Sequence, residues 1–146
     1  MRNSVLGSAG TNDESLLGTD SNKNGIRDDI DDYIQKRFPK SEKRRAALSQ
    51  YARDYQIAFT VYTDAKKLKE SALEIERTIY CLGAIFDNSG VSIYETNNLL
   101  AEIFSNKARS EAGIHIDALL WDLPSDLVGP HDELKQCRFD LKKMVN

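Results

Sequence analysis

Oxygen-bearing side chains crowd one short stretch of this chain, Asp20-Ser21-Asn22-Lys23-Asn24-Gly25-Ile26-Arg27-Asp28-Asp29-Ile30-Asp31. Such a set suits a hard divalent cation, because calcium takes six to eight oxygens at roughly 2.3–2.6 Å. In a loop of this kind the side chains at positions 1, 3 and 5 wrap one side of the ion, and Asp20, Asn22 and Asn24 hold those places. Position 6 needs a sharp turn, usually at positive φ, and Gly25 supplies it. Position 7 offers a backbone carbonyl, so Ile26 can turn its side chain to a core, while Asp28 and Asp31 fill positions 9 and 12. The expected metal ligands are therefore Asp20, Asn22, Asn24, Ile26, Asp28 and Asp31, and the expected cofactor is Ca2+. Only the three aspartates bring charge, which sets an expected affinity on the order of 10⁻⁵–10⁻³ M. Such a site fills outside the cytosol and stays mostly empty within it. A plain Asn/Asp-rich turn capping a helix would explain Gly25 and the helix start, but not an oxygen at every one of these positions.

Other chemistry is sparse. His115, between Ile114 and Ile116, reads as a structural histidine, and His131 reads as solvated. Neither sits at a metal-ligand spacing. No phosphate-binding glycine loop, nucleophile elbow or paired-histidine motif occurs, so no catalytic residue is expected. Glu74, Glu76, Asp117 and Asp122 can pair as acid and base only if the fold brings them together. Lys40, Lys43, Arg44 and Arg45 form a basic cluster without interleaved aromatics, which reads as a solvated face rather than a nucleic-acid site. Tyr51, Tyr55, Phe59 and Tyr62 read first as core, with phenol oxygens that need polar partners, so one edge of the stripe can meet solvent or another protein.

The elements that must position these groups read as helices. Ile30, Tyr33, Ile34 and Phe38 make one apolar face, stopped by Pro39. Ser41 can cap a second helix through Leu48, Tyr51, Tyr55, Phe59 and Tyr62. Asp64 either caps a further helix or lies within a continuous one. Leu68, Ala72, Ile75, Ile79, Leu82 and Phe86 form the cleanest stripe. After the Asn88-Ser89-Gly90 turn, Ser92 and Glu95 read as a capping box for a helix with Ile93, Leu100, Ile103 and Phe104 on its apolar face. Asn106 reads as a break, and Ala108, Ala112, Ile116, Leu119 and Leu120 mark a last helix ended by Pro124. From Ser125 the chain reads as a loop reaching Cys137, with a short helix near Asp132 to Gln136.

No stretch alternates long enough for a strand. The expected fold is all-α, an antiparallel helical bundle preceded by an EF-hand-like calcium loop. Residues 1–19, rich in Ser, Gly, Asn and Thr, read as a flexible leader, and residues 20–146 as a single helical domain. The 146 residues suffice for a buried core. A net charge of −3 gives no global pull toward nucleic acid or anionic membrane, and no apolar run is long enough to span a bilayer. Met1-Arg2-Asn3 leads into polar residues, so no signal peptide is read there. That start fits a trimmed exported chain or a natural cytosolic one. Two cysteines, Cys81 and Cys137, are either buried thiols or a disulfide. A bridge would close a loop of about 55 residues, stabilise by roughly 4 kcal/mol at most, and imply an oxidising compartment.

Across Asp20, Asn22, Asn24, Gly25, Asp28 and Asp31 the loop resembles the calcium repeats of the thrombospondin type 3 and dockerin families, over about twelve residues only, and Gly25-Ile26-Arg27-Asp28-Asp29 is closer to the thrombospondin type. Dockerins carry paired loops and this chain carries one, so cohesin binding is not implied. The wider layout, a calcium loop, a helical body and a late Cys137-x-Phe139-Asp140, resembles uncharacterised periplasmic or lipoprotein-like proteins of proteobacteria. That resemblance implies a periplasmic or secreted protein that binds another protein, with an immunity protein neutralising a secreted toxin as its specific form. A small hydrolase whose carboxylates converge in the fold and a structural surface module are the alternatives.

Overall fold

The computed structural model describes residues 13–124 and 132–145. Among them are five α-helices and no strand: α1 (Asp28–Arg37), α2 (Glu42–Val61), α3 (Ala65–Phe86), α4 (Ser89–Ile103) and α5 (Lys107–Asp122), followed by 3-10 turns at Glu133–Gln136 and Leu141–Lys143. They form an antiparallel bundle. Helix α3 is central and packs on α2, α4, α5 and the Glu133–Gln136 turn. No helix of the described residues is long and apolar enough to cross a membrane.

Each helix start has a local cause. The side chains of Ser41, Asp64, Asn88 and Asn106 accept from the backbone N–H three residues on, at Arg44, Lys67, Val91 and Arg109. Each cap satisfies one of the N–H groups that a helix leaves unpaired. Asp64 therefore separates α2 from α3, and Asn106 opens α5. Helix α1 carries Asp28, Asp29 and Asp31 in its first turn and Lys36 and Arg37 in its last, the order its dipole favours. Helix α3 ends at Asp87, in the left-handed region at φ 52°.

Helix α4 starts earlier than the expected capping box places it. Asn88 caps it, so Ser92 and Glu95 fall inside the helix and are buried. Glu95 instead takes a two-pronged bond from Arg37, at 2.9 and 2.6 Å. Of the expected apolar face Ile103 is buried, while Ile93 is exposed and Leu99 points inward instead.

The core is continuous from Ile26, Ile30 and Ile34 through Leu48, Tyr55 and Phe59 to Ile75, Leu82, Leu99 and Ile116. Each such fully buried side chain contributes about 1.5–3 kcal/mol relative to exposure. Tyr51, Tyr55, Phe59 and Phe104 meet edge to face, with ring centroids 5.1–6.1 Å apart. Tyr55 is hydrogen-bonded to the Asp117 carboxylate and to Tyr51, and burial pushes the Tyr51 phenol up to about 12. Tyr62 is half-buried and stacks against the exposed His115.

Residues 1–12 of the segment read as a leader lie outside the described residues. Residues 13–19 lie against the bundle. Leu16 and Leu17 accept through their carbonyls from Arg109 and Gln56, and Asn106 donates to the carbonyls of Asp13 and Ser15. Gly18 turns there at φ 69°, where a Cβ would lie 2.3 Å from Arg27 Cδ, so no side chain fits.

The loop before α1 differs from expectation. It is not an EF-hand-like calcium loop but a turn closed by its own hydrogen bonds, described next.

Candidate functional site

The expected metal ligands point at the loop's own donors. Asp20 accepts from the N–H of Asn24 at 3.2 Å and of Gly25 at 2.9 Å. Asn24 accepts from the Ile26 N–H and donates its amide to Asp31 at 3.0 Å, and the Asn22 amide lies 3.5 Å from the same carboxylate oxygen. Asp28 accepts from both the backbone N–H and the hydroxyl of Ser21, which holds its carboxyl below the ordinary range. Gly25 turns at φ 85° and Ile26 is buried, both as expected. Among the described residues, however, no group of three or more His, Cys, Asp or Glu side chains is placed to hold a metal ion. The calcium assignment to Asp20, Asn22, Asn24, Ile26, Asp28 and Asp31 is therefore corrected. Oxygens at ligand spacing serve equally well as acceptors for the N–H groups of a tight turn, and that is their use here.

Next to the loop, Arg27 is buried and pairs with Asp29 at 2.6 Å. It donates to the carbonyls of Glu102 and Ile103 at 2.9 and 3.1 Å. A cation thus sits where the α4 dipole is negative. Arg109, also buried, binds the Ser105 hydroxyl and Asp13, and burial lowers its basicity. These contacts fasten the chain start to the end of α4.

Among the described residues a groove lies elsewhere, between α2 and α3. Its construction begins with a disulfide between Cys81 on α3 and Cys137. The bridge selects one of the two cysteine readings and ties the chain's last segment to the central helix. The next residue, Arg138, is thereby laid across the groove mouth. Its guanidinium binds Asp54 on α2, Glu74 on α3 at 3.0 Å, and the Thr78 hydroxyl at 3.4 Å. Its backbone N–H donates to Gln50 Oε1 at 2.7 Å. Gln50 in turn donates to Thr78 at 2.8 Å and to the Gln136 carbonyl at 2.9 Å, and Thr78 donates to Asp54. Asp54 is 3% exposed. Burial raises its proton affinity more than Thr78 and Arg138 lower it, so its carboxyl sits above the ordinary range.

Beside this network runs a groove of about 490 Å³, lined by Asp54, Ile57 and Val61 of α2, Lys67, Glu70, Ser71 and Glu74 of α3, and Arg138. A second hollow of about 420 Å³ lies across Arg138, toward Ser49, Arg53 and Phe139. Asp54, Ile57 and Arg138 border both. Ile57, 52% exposed, is an apolar side chain held at the edge of two cavities. The groove can take an apolar group on Ile57 and Val61 while its rim offers charges of both signs.

Of the four carboxylates that might have converged, only Glu74 lines this groove, and it shares the Arg138 guanidinium with Asp54. Arg138, Asp54 and Ile57 were not singled out by sequence. The available signal was a polar residue inside an apolar stripe: Gln50 and Asp54 interrupt the buried face of α2, and Thr78 that of α3. His131 lies outside the described residues. Comparison with protein-family models, curated proteins and solved structures finds no match to this chain.

Proposed function

We propose that this chain is a non-enzymatic protein-binding module that works outside the cytosol and receives an apolar side chain of its partner in the groove between α2 and α3. The observation that carries the reading is the exposed Ile57, set between two hollows and rimmed by Lys67, Glu70, Glu74 and Arg138. A partly exposed apolar anchor inside a charged rim is the arrangement of an interface centre. The disulfide supports an oxidising compartment, hence a periplasmic or secreted location. Neutralisation of a secreted toxin is the specific form suggested by the chain's layout.

A small hydrolase is the competing reading, because Asp54 and Glu74 both bind Arg138 beside the groove and Asp54 holds its proton unusually well. Arg138 fills the space between the two carboxylates, where a scissile bond would have to lie. Binding is the better use of this geometry.

The test is crosslinked capture from the exported proteins of the native host, comparing the wild-type chain with Ile57→Glu and Ile114→Glu. Both residues are exposed, so both variants fold. Binding requires a partner held by wild type and Ile114→Glu but lost from Ile57→Glu. Equal capture by all three would defeat the assignment of the groove. Hydrolytic turnover abolished by Asp54→Asn would favour the enzyme.

A further inference from the structure

The two hollows that meet at Arg138 differ in charge. The larger is bordered by the carboxylates Glu70 and Glu74 and by Lys67. The smaller is bordered by Arg53, Ser49, Gln50 and Phe139, with Asp54 as the one carboxylate among its described lining residues. Asp54 carries little charge into that space. It is buried, Arg138 binds one of its oxygens and Thr78 donates to the other. Arg138 is itself balanced, by Asp54 and Glu74. Arg53 is not. It is exposed and borders only the smaller hollow. Its Nε–H donates to the Asn24 carbonyl at 3.0 Å, which anchors the guanidinium and leaves its terminal nitrogens without a partner among the described residues.

We infer that the smaller hollow receives a carboxylate of the partner, so that the segment bound here carries an Asp or Glu side chain next to the apolar side chain that packs on Ile57. The inference rests on the groove reading above and names the chemistry of its partner. Ile57 borders both hollows, so one segment lying across Arg138 fills both with neighbouring side chains. A guanidinium presents a planar fork of N–H donors that matches the two oxygens of a carboxylate. The Ser49 hydroxyl supplies a further donor at the same wall. An Asn or Gln side chain would bring one acceptor oxygen and no charge, and a Lys or Arg would be repelled by Arg53. In the larger hollow Glu70 and Glu74 disfavour a carboxylate. The acidic side chain is thereby steered to one side of Arg138, which fixes the direction of the bound segment. Arg53 stays partly in water, so the carboxylate adds a modest factor, about threefold in affinity.

Blocked dipeptides test this on the intact, oxidised chain. Acetyl-Leu-Asp amide and acetyl-Leu-Asn amide, each also in the reverse order, are titrated at low salt against isotope-labelled protein. Dissociation constants are read from the Ile57 backbone amide resonance. In the better order the Asp peptide binds about threefold tighter than its Asn counterpart, and the difference shrinks as salt is raised. Arg53→Gln, with unchanged circular dichroism, makes the two peptides equal and leaves the Asn peptide binding as it does to wild type. Arg53→Lys keeps the cation and retains part of the preference. Lys107→Gln, which removes a charge that lines neither hollow, leaves the preference whole. Asp and Asn peptides that shift Ile57 with equal affinity overturn the inference and leave the groove reading standing. So does a preference for Asp that survives Arg53→Gln. If no peptide shifts Ile57, the groove reading fails and this inference falls with it.

Discussion

The two ends of the described chain are fastened to the bundle by different means. Residues 13–31 are held by many hydrogen bonds, from Arg27, Arg109, Asn106 and Gln56 to backbone carbonyls and from the loop's own oxygens to its N–H groups. The segment around Arg138 is held by a covalent bond from Cys137 to Cys81, beside hydrogen bonds to Gln50 and ion pairs to Asp54 and Glu74. In the first region the side chains of Arg27, Arg109, Asp20 and Asp28 are engaged in anchoring. In the second, the bridge adds a covalent anchor, and the polar groups beside it, Gln50, Asp54 and Arg138, both hold the segment and border a groove.

The largest test of this contrast removes the covalent anchor. Cys81→Ala/Cys137→Ala should lower stability by at most about 4 kcal/mol, the loop-closure value for a bridge of this span, read from urea denaturation. Reductant should destabilise wild type and leave this variant unchanged. If the double variant keeps the wild-type midpoint, the C-terminal segment is held by its hydrogen bonds alone and the contrast fails.

Breaking the other side needs one arginine. Arg27→Ala strips donors from two carbonyls at the end of α4 and leaves Asp29 without its cation. A loss of about 2–4 kcal/mol is expected, with faster amide exchange at both α1 and the end of α4. Exchange confined to α1 would show that the arginine does not link the two elements.

A smaller effect is expected within the loop. Asp20→Ala removes the acceptor for the N–H groups of Asn24 and Gly25 and should lower stability by about 1 kcal/mol. No change would mean that water replaces the carboxylate at no cost.

The finest distinction concerns pH. Burial holds the Asp54 carboxyl above its ordinary value, so the folded chain binds that proton more tightly than the unfolded chain does. Its contribution is complete below the unfolded value of about 3.9 and is lost as pH rises through the folded value. Wild type should therefore lose stability relative to Asp54→Asn as pH rises from about 4. An Asn variant that tracks wild type at every pH would show that Arg138 balances the burial.

Much of this architecture was legible beforehand, and what was missed has physical causes. The stripe from Leu68 to Phe86, the caps at Ser41 and Asp64 and the stop at Pro39 were readable because each is a local interaction. The start of α4 was not, because Ser92 with Glu95 imitates a capping box while Asn88, one turn earlier, competes for the same role. Glu95 serves Arg37 instead, a partner 58 residues away that spacing cannot reveal. The loop before α1 misled for a related reason. Clustered Asp and Asn at ligand spacing also satisfy a tight turn, and the two uses differ only in where the oxygens point. The groove was invisible because Asp54, Glu74 and Arg138 come from three separate parts of the chain, and sequence left open the disulfide beside Arg138.

The most direct measurement is amide hydrogen exchange at Arg138 read beside Gly25, with and without reductant. Both N–H groups donate to side-chain oxygens, Gln50 Oε1 and Asp20 Oδ2 respectively. If the covalent tie holds the groove-forming segment, reduction strips protection from Arg138 and leaves Gly25 as it was. Protection at Arg138 that survives full reduction would contradict the account.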